Sequence, residues 1–143
     1  FPRYMNDNIA EIINKATKFL GIREGFRVQL FHNAVIDKSH EGVYIIFEGS
    51  IIGKGPVIYV GQGKIATRIA NHKRKARKDL APPKYVPEGW KWLVEHKEYD
   101  IKKWDICYIP LKTKVDMTAL EGVLIKQLEP IANDETFHDR TVI

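Results

Sequence analysis

Glu121 occupies a position in this sequence that needs a chemical explanation. At about 100° between successive helical residues, it falls among Leu120, Leu124 and Leu128, inside the apolar arc of a predicted helix. A carboxylate in an apolar environment is costly unless it is paired or binds a cation. Two explanations therefore stand: Glu121 binds a cation, or it forms a capping box with Thr118, three residues earlier.

Two tyrosines occur in β-branched and aromatic runs that predict the strands of a hairpin. Tyr44 lies in the run Gly42–Phe47, and Tyr59 lies in the run Pro56–Val60. In such a hairpin we expect the two rings to face each other across the strand pair and to project to the same side of the sheet. Taken alone, the pair is more typical of core packing than of catalysis. Gly61, where the strand gives way to a helix, would allow a backbone or a phosphate to approach closely.

A helix is predicted from about Ile65 to Lys78. Arg68 and His72 are four residues apart, so they lie on one face of this helix. An arginine near the start of a helix is well placed to bind a phosphate through two hydrogen bonds, although a single arginine is more often a surface residue.

Positive charge is concentrated in and just before this helix. From position 64 to 78 there is no aspartate or glutamate, and the run is typical either of a solvated helix face or of a surface that neutralises several phosphates. Its basic residues are Lys64, Arg68, Lys73, Arg74, Lys75, Arg77 and Lys78.

The elements that must position these residues indicate one α+β domain over residues 1–143, with a small antiparallel sheet flanked by helices. The other predicted elements are a helix at Asn8–Leu20, strands at about Phe26–Phe31 and Trp104–Leu111, and a helix at Met117–Leu128 closed by Pro130.

Composition is that of a globular chain with one sizeable core: 143 residues, 44% hydrophobic and 29% charged. The single cysteine, Cys107, excludes an intramolecular disulfide and a cysteine-based zinc site, and fits a reducing intracellular compartment. No apolar stretch approaches the roughly 20 residues that cross a bilayer, so no membrane partner is expected. The net charge of +5 permits an acidic partner without requiring one.

Together these residues resemble the GIY-YIG endonucleases. Gly42-Val43-Tyr44 and Tyr59-Val60-Gly61 resemble the two half-motifs that name the family, with valine in place of isoleucine. Residues 59–72 resemble its strand-glycine-helix segment, and residues 121–133 resemble its C-terminal signature of glutamate, apolar helix, proline and asparagine. Each motif is short, but all occur in the family's order and span about two-thirds of the chain.

The resemblance implies the GIY-YIG fold, with a three-stranded antiparallel sheet and a core at about 42–134. Residues 1–41 would then be an N-terminal helix and strand extension, and about 80–104, with its prolines and tryptophans, would be an insertion. The implied function is that of a metal-dependent endonuclease that hydrolyses phosphodiester bonds of DNA, with double-stranded DNA as the expected partner.

Glu121 would bind one divalent cation, Mg²⁺ or Mn²⁺, and Arg68 would bind the scissile phosphate. Tyr44 would orient or deprotonate the attacking water, and Tyr59 would hydrogen-bond in the same network. His72 is expected as a secondary proton acceptor.

Further expectations accompany the resemblance. Asn133 would brace the glutamate or the fold near it. A single site cuts one strand, so double-strand cleavage would need a homodimer or two successive nicks, and the alternative function is a DNA-binding module that does not cut. The expected DNA contacts are Gly61, Lys64, Lys73, Arg74, Lys75, Arg77 and Lys78.

Overall fold

Four strands and three α-helices form the α+β architecture of the computed structural model, which describes residues 7–48, 57–76, 101–131 and 133. Short 3-10 turns lie at Phe31–Asn33 and Ile101–Lys103. The strands are β1 (Arg27–Leu30), β2 (Glu41–Glu48), β3 (Val57–Lys64) and β4 (Trp104–Pro110). The helices are α1 (Asp7–Leu20), α2 (Ile65–Ala76) and α3 (Lys114–Leu128).

The sheet is antiparallel, in the order β1-β4-β2-β3. The expectation of three strands is therefore wrong: the strand predicted as part of an N-terminal extension joins the sheet. β1 pairs with β4, Arg27 opposite Tyr108 and Leu30 opposite Asp105. This pairing covers an edge of β4 that would otherwise present unpaired backbone groups.

Strand alternation divides the core into two layers. On one face, Val43 and Ile45 of β2 pack with apolar residues of α1 and α3. On the other face, Tyr44 and Ile46 pack with Ile65 of α2 and with neighbouring apolar residues. Tyr44 therefore lies on the α2 side of the sheet, whereas Glu121 belongs to the helix on the opposite side.

Two boundaries differ from prediction in ways that bear on function. β3 continues through Gly61 to Lys64, because Gly61 pairs with Tyr44 of β2, so Gly61 is not the point where the strand ends. α3 begins at Lys114, and its N-cap is Thr113, whose hydroxyl accepts a hydrogen bond from the backbone N–H of Asp116 (3.2 Å). The prediction of a capping box formed by Thr118 and Glu121 is therefore wrong.

The ends of the helices follow local rules. Gly21, with φ +71°, follows the last residue of α1 as predicted. Glu129 ends α3 in the left-handed region (φ 48°), just before Pro130. No helix in the described ranges is long and apolar enough to span a bilayer. The predicted insertion up to residue 100, with Trp90 and Trp92, lies outside the described residues.

Candidate active site

A polar pocket of about 200 Å³ lies at the outer edge of β3. β3 is an edge strand, so side chains from both faces of the sheet reach this place. Five of the six residues predicted as catalytic line it, and Asn133 does not. The lining residues are Tyr44, Tyr59, Gln62, Arg68, Asn71, His72 and Glu121.

The Tyr44 hydroxyl and the His72 ring form a buried hydrogen bond, with Oη 2.7 Å from Nε2. Tyr44 is 1% exposed and His72 is 3% exposed. Burial raises the pKa of Tyr44 well above its usual value near 10, the neighbouring Tyr59 raises it further, and Arg68 lowers it to a smaller extent. Tyr44 is therefore a neutral phenol at physiological pH, hydrogen-bonded to an imidazole.

Tyr59 completes a cluster of three rings. Its ring centroid lies 4.5 Å from that of His72 and 6.1 Å from that of Tyr44. In the β2–β3 register Tyr59 is opposite Ile46, and Tyr44 is opposite Gly61. The two tyrosines thus share a face, as predicted, but as diagonal neighbours.

The space above Gly61 is occupied by Tyr44. A Cβ at Gly61 would lie 2.5 Å from Tyr44 Oη and 2.8 Å from Tyr59 Cε1. The glycine therefore allows the close approach of a buried phenol, whereas the sequence suggested the close approach of a phosphate or a backbone.

Gly61→Ala is expected to destabilise the protein by about 1–3 kcal/mol and to impair the pocket, because the added methyl displaces Tyr44 Oη from His72. Urea denaturation would measure the first effect. Gly122→Ala is the matched control, since a Cβ at this α3 residue has no neighbour within 4 Å. Alanine in a helix should stabilise by up to about 1 kcal/mol there. Equal stability of Gly61→Ala and the wild type would contradict the proposed packing.

Glu121 brings the acidic group to the pocket from α3. It is half-buried, and Gln62 Nε2 lies 3.4 Å from its Oε1. Burial raises the pKa of the Glu121 carboxyl above its usual value near 4.5, while the Gln62 hydrogen bond, Arg68 and Lys114 lower it. The carboxylate is thus charged at neutral pH only at some energetic cost, which a bound cation would reduce.

No group of three or more acidic, histidine or cysteine side chains within the described ranges is arranged to hold a metal ion. A site for Mg²⁺ needs less, because this ion keeps several waters and is commonly held by one or two carboxylates together with substrate phosphate. Glu121, partly desolvated at the wall of a polar pocket, fits that requirement.

Arg68 lies in the first turn of α2 and is exposed at the pocket. Just before the helix, Gly63 has φ +126°, and a Cβ there would lie 3.1 Å from Arg68 Nε. Arg68 and Glu121 both line the pocket, yet in the described part of the chain no salt bridge of 4 Å or less joins them. Their opposite charges therefore remain available to a ligand between them.

Asn133 braces the backbone of β3. Its side-chain Oδ1 accepts a hydrogen bond from the N–H of Val60 (3.0 Å), and its Nδ2 donates to the carbonyl of Val60 (2.9 Å). The amide acts as a further strand residue at the open edge of the sheet. It holds β3 between Tyr59 and Gly61, and no hydrogen bond joins it to Glu121.

The structure describes only part of the basic run. Lys64 is exposed at the end of β3. Lys73 faces away from the pocket: its ammonium group lies 5.8 Å from the centroid of the Phe31 ring, and burial lowers the pKa of Lys73. Only the backbone of Arg74 and Lys75 is described, and Arg77 and Lys78 lie outside the described residues.

Two pocket residues were not predicted from the sequence. Asn71 is three residues after Arg68 and one before His72, so helical periodicity could have suggested it. Gln62 carried no chemical signal, because its role depends on a contact with α3.

Comparison of the sequence with protein-family models and with curated proteins finds no match. A function must therefore be argued from the pocket and its side chains.

Proposed function

We propose that this protein is a metal-dependent endonuclease of the GIY-YIG type, which hydrolyses phosphodiester bonds in double-stranded DNA. The observation that carries the proposal is the content of one polar pocket: a hydrogen-bonded phenol–imidazole pair, a guanidinium group and a partly desolvated carboxylate. These are the groups that phosphodiester hydrolysis requires, namely proton acceptors, a phosphate-binding cation and a ligand for a divalent metal.

Arg68 binds the scissile phosphate in this proposal. A guanidinium group donates two parallel hydrogen bonds to phosphate oxygens and remains charged at all relevant pH values. Among the described residues no salt bridge joins Arg68 to Glu121, so the guanidinium group can interact with a substrate anion in the pocket. Lys64 is exposed at the end of β3 and adds positive charge there.

Tyr44 and His72 act together as the proton acceptor. A water molecule attacks phosphorus and its proton passes to Tyr44 Oη, while the phenol proton passes to Nε2 of a neutral His72. The bond from phosphorus to the 3′-oxygen breaks, and that oxygen takes a proton from solvent. No phenolate forms, which suits a tyrosine whose pKa is raised by burial.

His72 has a larger part in this scheme than the sequence suggested. Its Nε2 is the immediate partner of the tyrosine hydroxyl, and the ring is buried away from competing solvent. In the required tautomer Nε2 accepts and Nδ1 carries the hydrogen. The resulting imidazolium would lie beside the Tyr59 ring, whose centroid is 4.5 Å from that of His72, and an aromatic ring at this distance can stabilise a cation.

Glu121 would hold the metal ion, Mg²⁺ or Mn²⁺. When bound, the ion would supply positive charge to the phosphoryl oxygens as the transition state forms. Glu121 and Arg68 would then approach the phosphate from opposite faces of the sheet, which explains why the pocket lies at the edge strand. One such pocket cuts one strand, so cleavage of both strands needs a second copy or two successive nicks.

Incubation with supercoiled plasmid tests the proposal and distinguishes it from a DNA-binding module that does not cut. The expected result is nicked or linear DNA in the presence of Mg²⁺ or Mn²⁺ and intact plasmid in the presence of EDTA. Retarded but intact plasmid under all metal conditions would favour the non-catalytic alternative.

A further inference from the structure

Gln62 is the only residue with a side chain in the segment Gly61–Gly63 at the end of β3. The two flanking glycines are in contact with residues on the α2 side of the sheet. Gly61 leaves space for Tyr44, and Gly63 lies against Arg68. Strand alternation turns Gln62 to the opposite side, toward α3. Residues 61, 62 and 63 therefore contact Tyr44, Glu121 and Arg68, respectively.

The Gln62 amide contacts two side chains of α3. Its Nε2 lies 3.4 Å from Glu121 Oε1 and 3.4 Å from Thr118 Oγ1. Thr118 and Glu121 are three residues apart and so lie on the same face of the helix. Gln62 is half-buried and lines the pocket. The packing of β3 against α3 therefore determines the direction in which its amide points.

We infer that Gln62 is a positioning residue that holds the Glu121 carboxylate in the orientation in which it binds the divalent cation, an inference that rests on the proposed function. An N–H donor on Oε1 leaves Oε2 and further lone pairs of the carboxylate for a metal. Hydrogen-bond partners of metal ligands fix ligand orientation, and their loss commonly lowers metal affinity or activity by about 10- to 100-fold.

Calorimetric titration with Mn²⁺ tests the inference without relying on cleavage. Gln62→Met keeps the length of the side chain and removes the amide. We expect it to bind Mn²⁺ about 10- to 100-fold more weakly than the wild type. Gln127→Met is the matched control, because Gln127 is exposed on the same helix, and it should bind Mn²⁺ like the wild type.

Cleavage kinetics supply a second readout. A misoriented Glu121 carboxylate binds the ion more weakly, so excess metal should restore activity. Gln62→Met should therefore cleave slowly at limiting Mn²⁺ and approach the wild-type kcat at saturating Mn²⁺. The KM for DNA should be unchanged. A purely structural defect would lower kcat at every Mn²⁺ concentration and would overturn the inference.

The outcomes separate the inference from the proposed function. Equal Mn²⁺ affinity of Gln62→Met and the wild type overturns the role of Gln62 and leaves the nuclease proposal standing. Absence of Mn²⁺ binding by the wild type, both alone and with duplex DNA present to supply phosphate ligands, overturns the metal site and the inference together. If Gln62→Met fails to fold, Gln62→Ser removes the same amide with a smaller side chain, and the same comparisons apply.

Discussion

Replacement of Glu121 by glutamine is expected to reduce DNA cleavage by about 10³-fold or more while the protein stays folded. The substitution keeps the size of the side chain and removes the charge that would hold the metal ion. Because Glu121 is half-buried at the wall of a polar pocket, an amide can take the place of the carboxylate without a packing defect. Nicking of supercoiled plasmid in Mg²⁺ or Mn²⁺ measures the rate.

The same substitution is expected to stabilise the protein near neutral pH, by about 1 kcal/mol or less. Burial raises the pKa of the Glu121 carboxyl, so the folded state holds this proton more tightly than the unfolded state. Wild-type stability therefore falls as pH rises through the unfolded-state pKa toward the higher folded-state pKa. Thermal denaturation should show the two proteins alike below about pH 4 and the variant more stable above it.

Glu24→Gln is the control for charge alone, since Glu24 is exposed. It should change neither cleavage nor the difference in stability between acidic and neutral pH. Cleavage by Glu121→Gln within about tenfold of the wild type would show that the carboxylate is not needed. Unfolding of Glu121→Gln would instead assign Glu121 a structural role.

Tyr44→Phe is expected to lower the cleavage rate by about 10²- to 10⁴-fold, the usual contribution of general acid–base catalysis. The change removes only the hydroxyl that contacts His72 Nε2. Loss of this buried hydrogen bond should also cost about 1 kcal/mol of stability. Single-turnover cleavage with the enzyme in excess over plasmid separates the chemical step from DNA binding, which should be unchanged.

Tyr108→Phe is the matched control for this substitution. Tyr108 is directly opposite Tyr44 in the register of β2 and β4, is also buried, and accepts a hydrogen bond from Gln29 (3.2 Å). It does not line the pocket. Tyr108→Phe should therefore lose similar stability and keep the wild-type rate. Equal rates for the two variants would contradict the relay through Tyr44.

The pH profile distinguishes the relay from attack assisted by a phenolate. Burial raises the pKa of Tyr44 well above about 10, so a phenolate mechanism would give a rate that keeps rising beyond that pH. A relay to neutral His72 gives a rate that levels off while Tyr44 is still protonated. We expect the second profile for the wild type.

Local signals in the sequence were sufficient for the elements that carry the site. Alternating β-branched and aromatic residues predicted the strands that carry Tyr44 and Tyr59, and helical periodicity placed Arg68 and His72 on one face. The apolar neighbours of Glu121 showed that its carboxylate would be partly removed from water, and burial raises the pKa of this group. These predictions succeeded because each depends on residues close in the chain.

The remaining features depended on residues distant in the chain. β1 was expected outside the sheet, but it pairs with β4, and that pairing is a long-range contact that local periodicity does not encode. The N-cap of α3 is an exception, because the choice of Thr113 over Thr118 is local: either hydroxyl could cap a helix, and the sequence pattern alone did not choose between them. Asn133 was expected to brace Glu121 or the fold near it, and the edge position of β3 decided for the fold by giving the amide two backbone partners in Val60.

By itself, the sequence predicted five of the seven residues that line the pocket and the helix or strand that carries each of them. The tertiary structure decided which of them meet. Glu121 and Tyr44 are on opposite sides of the sheet, and they share a pocket only because β3 is an edge strand with glycines at positions 61 and 63. The strand order that creates this edge arises from packing of the whole chain, so no local pattern could have predicted it.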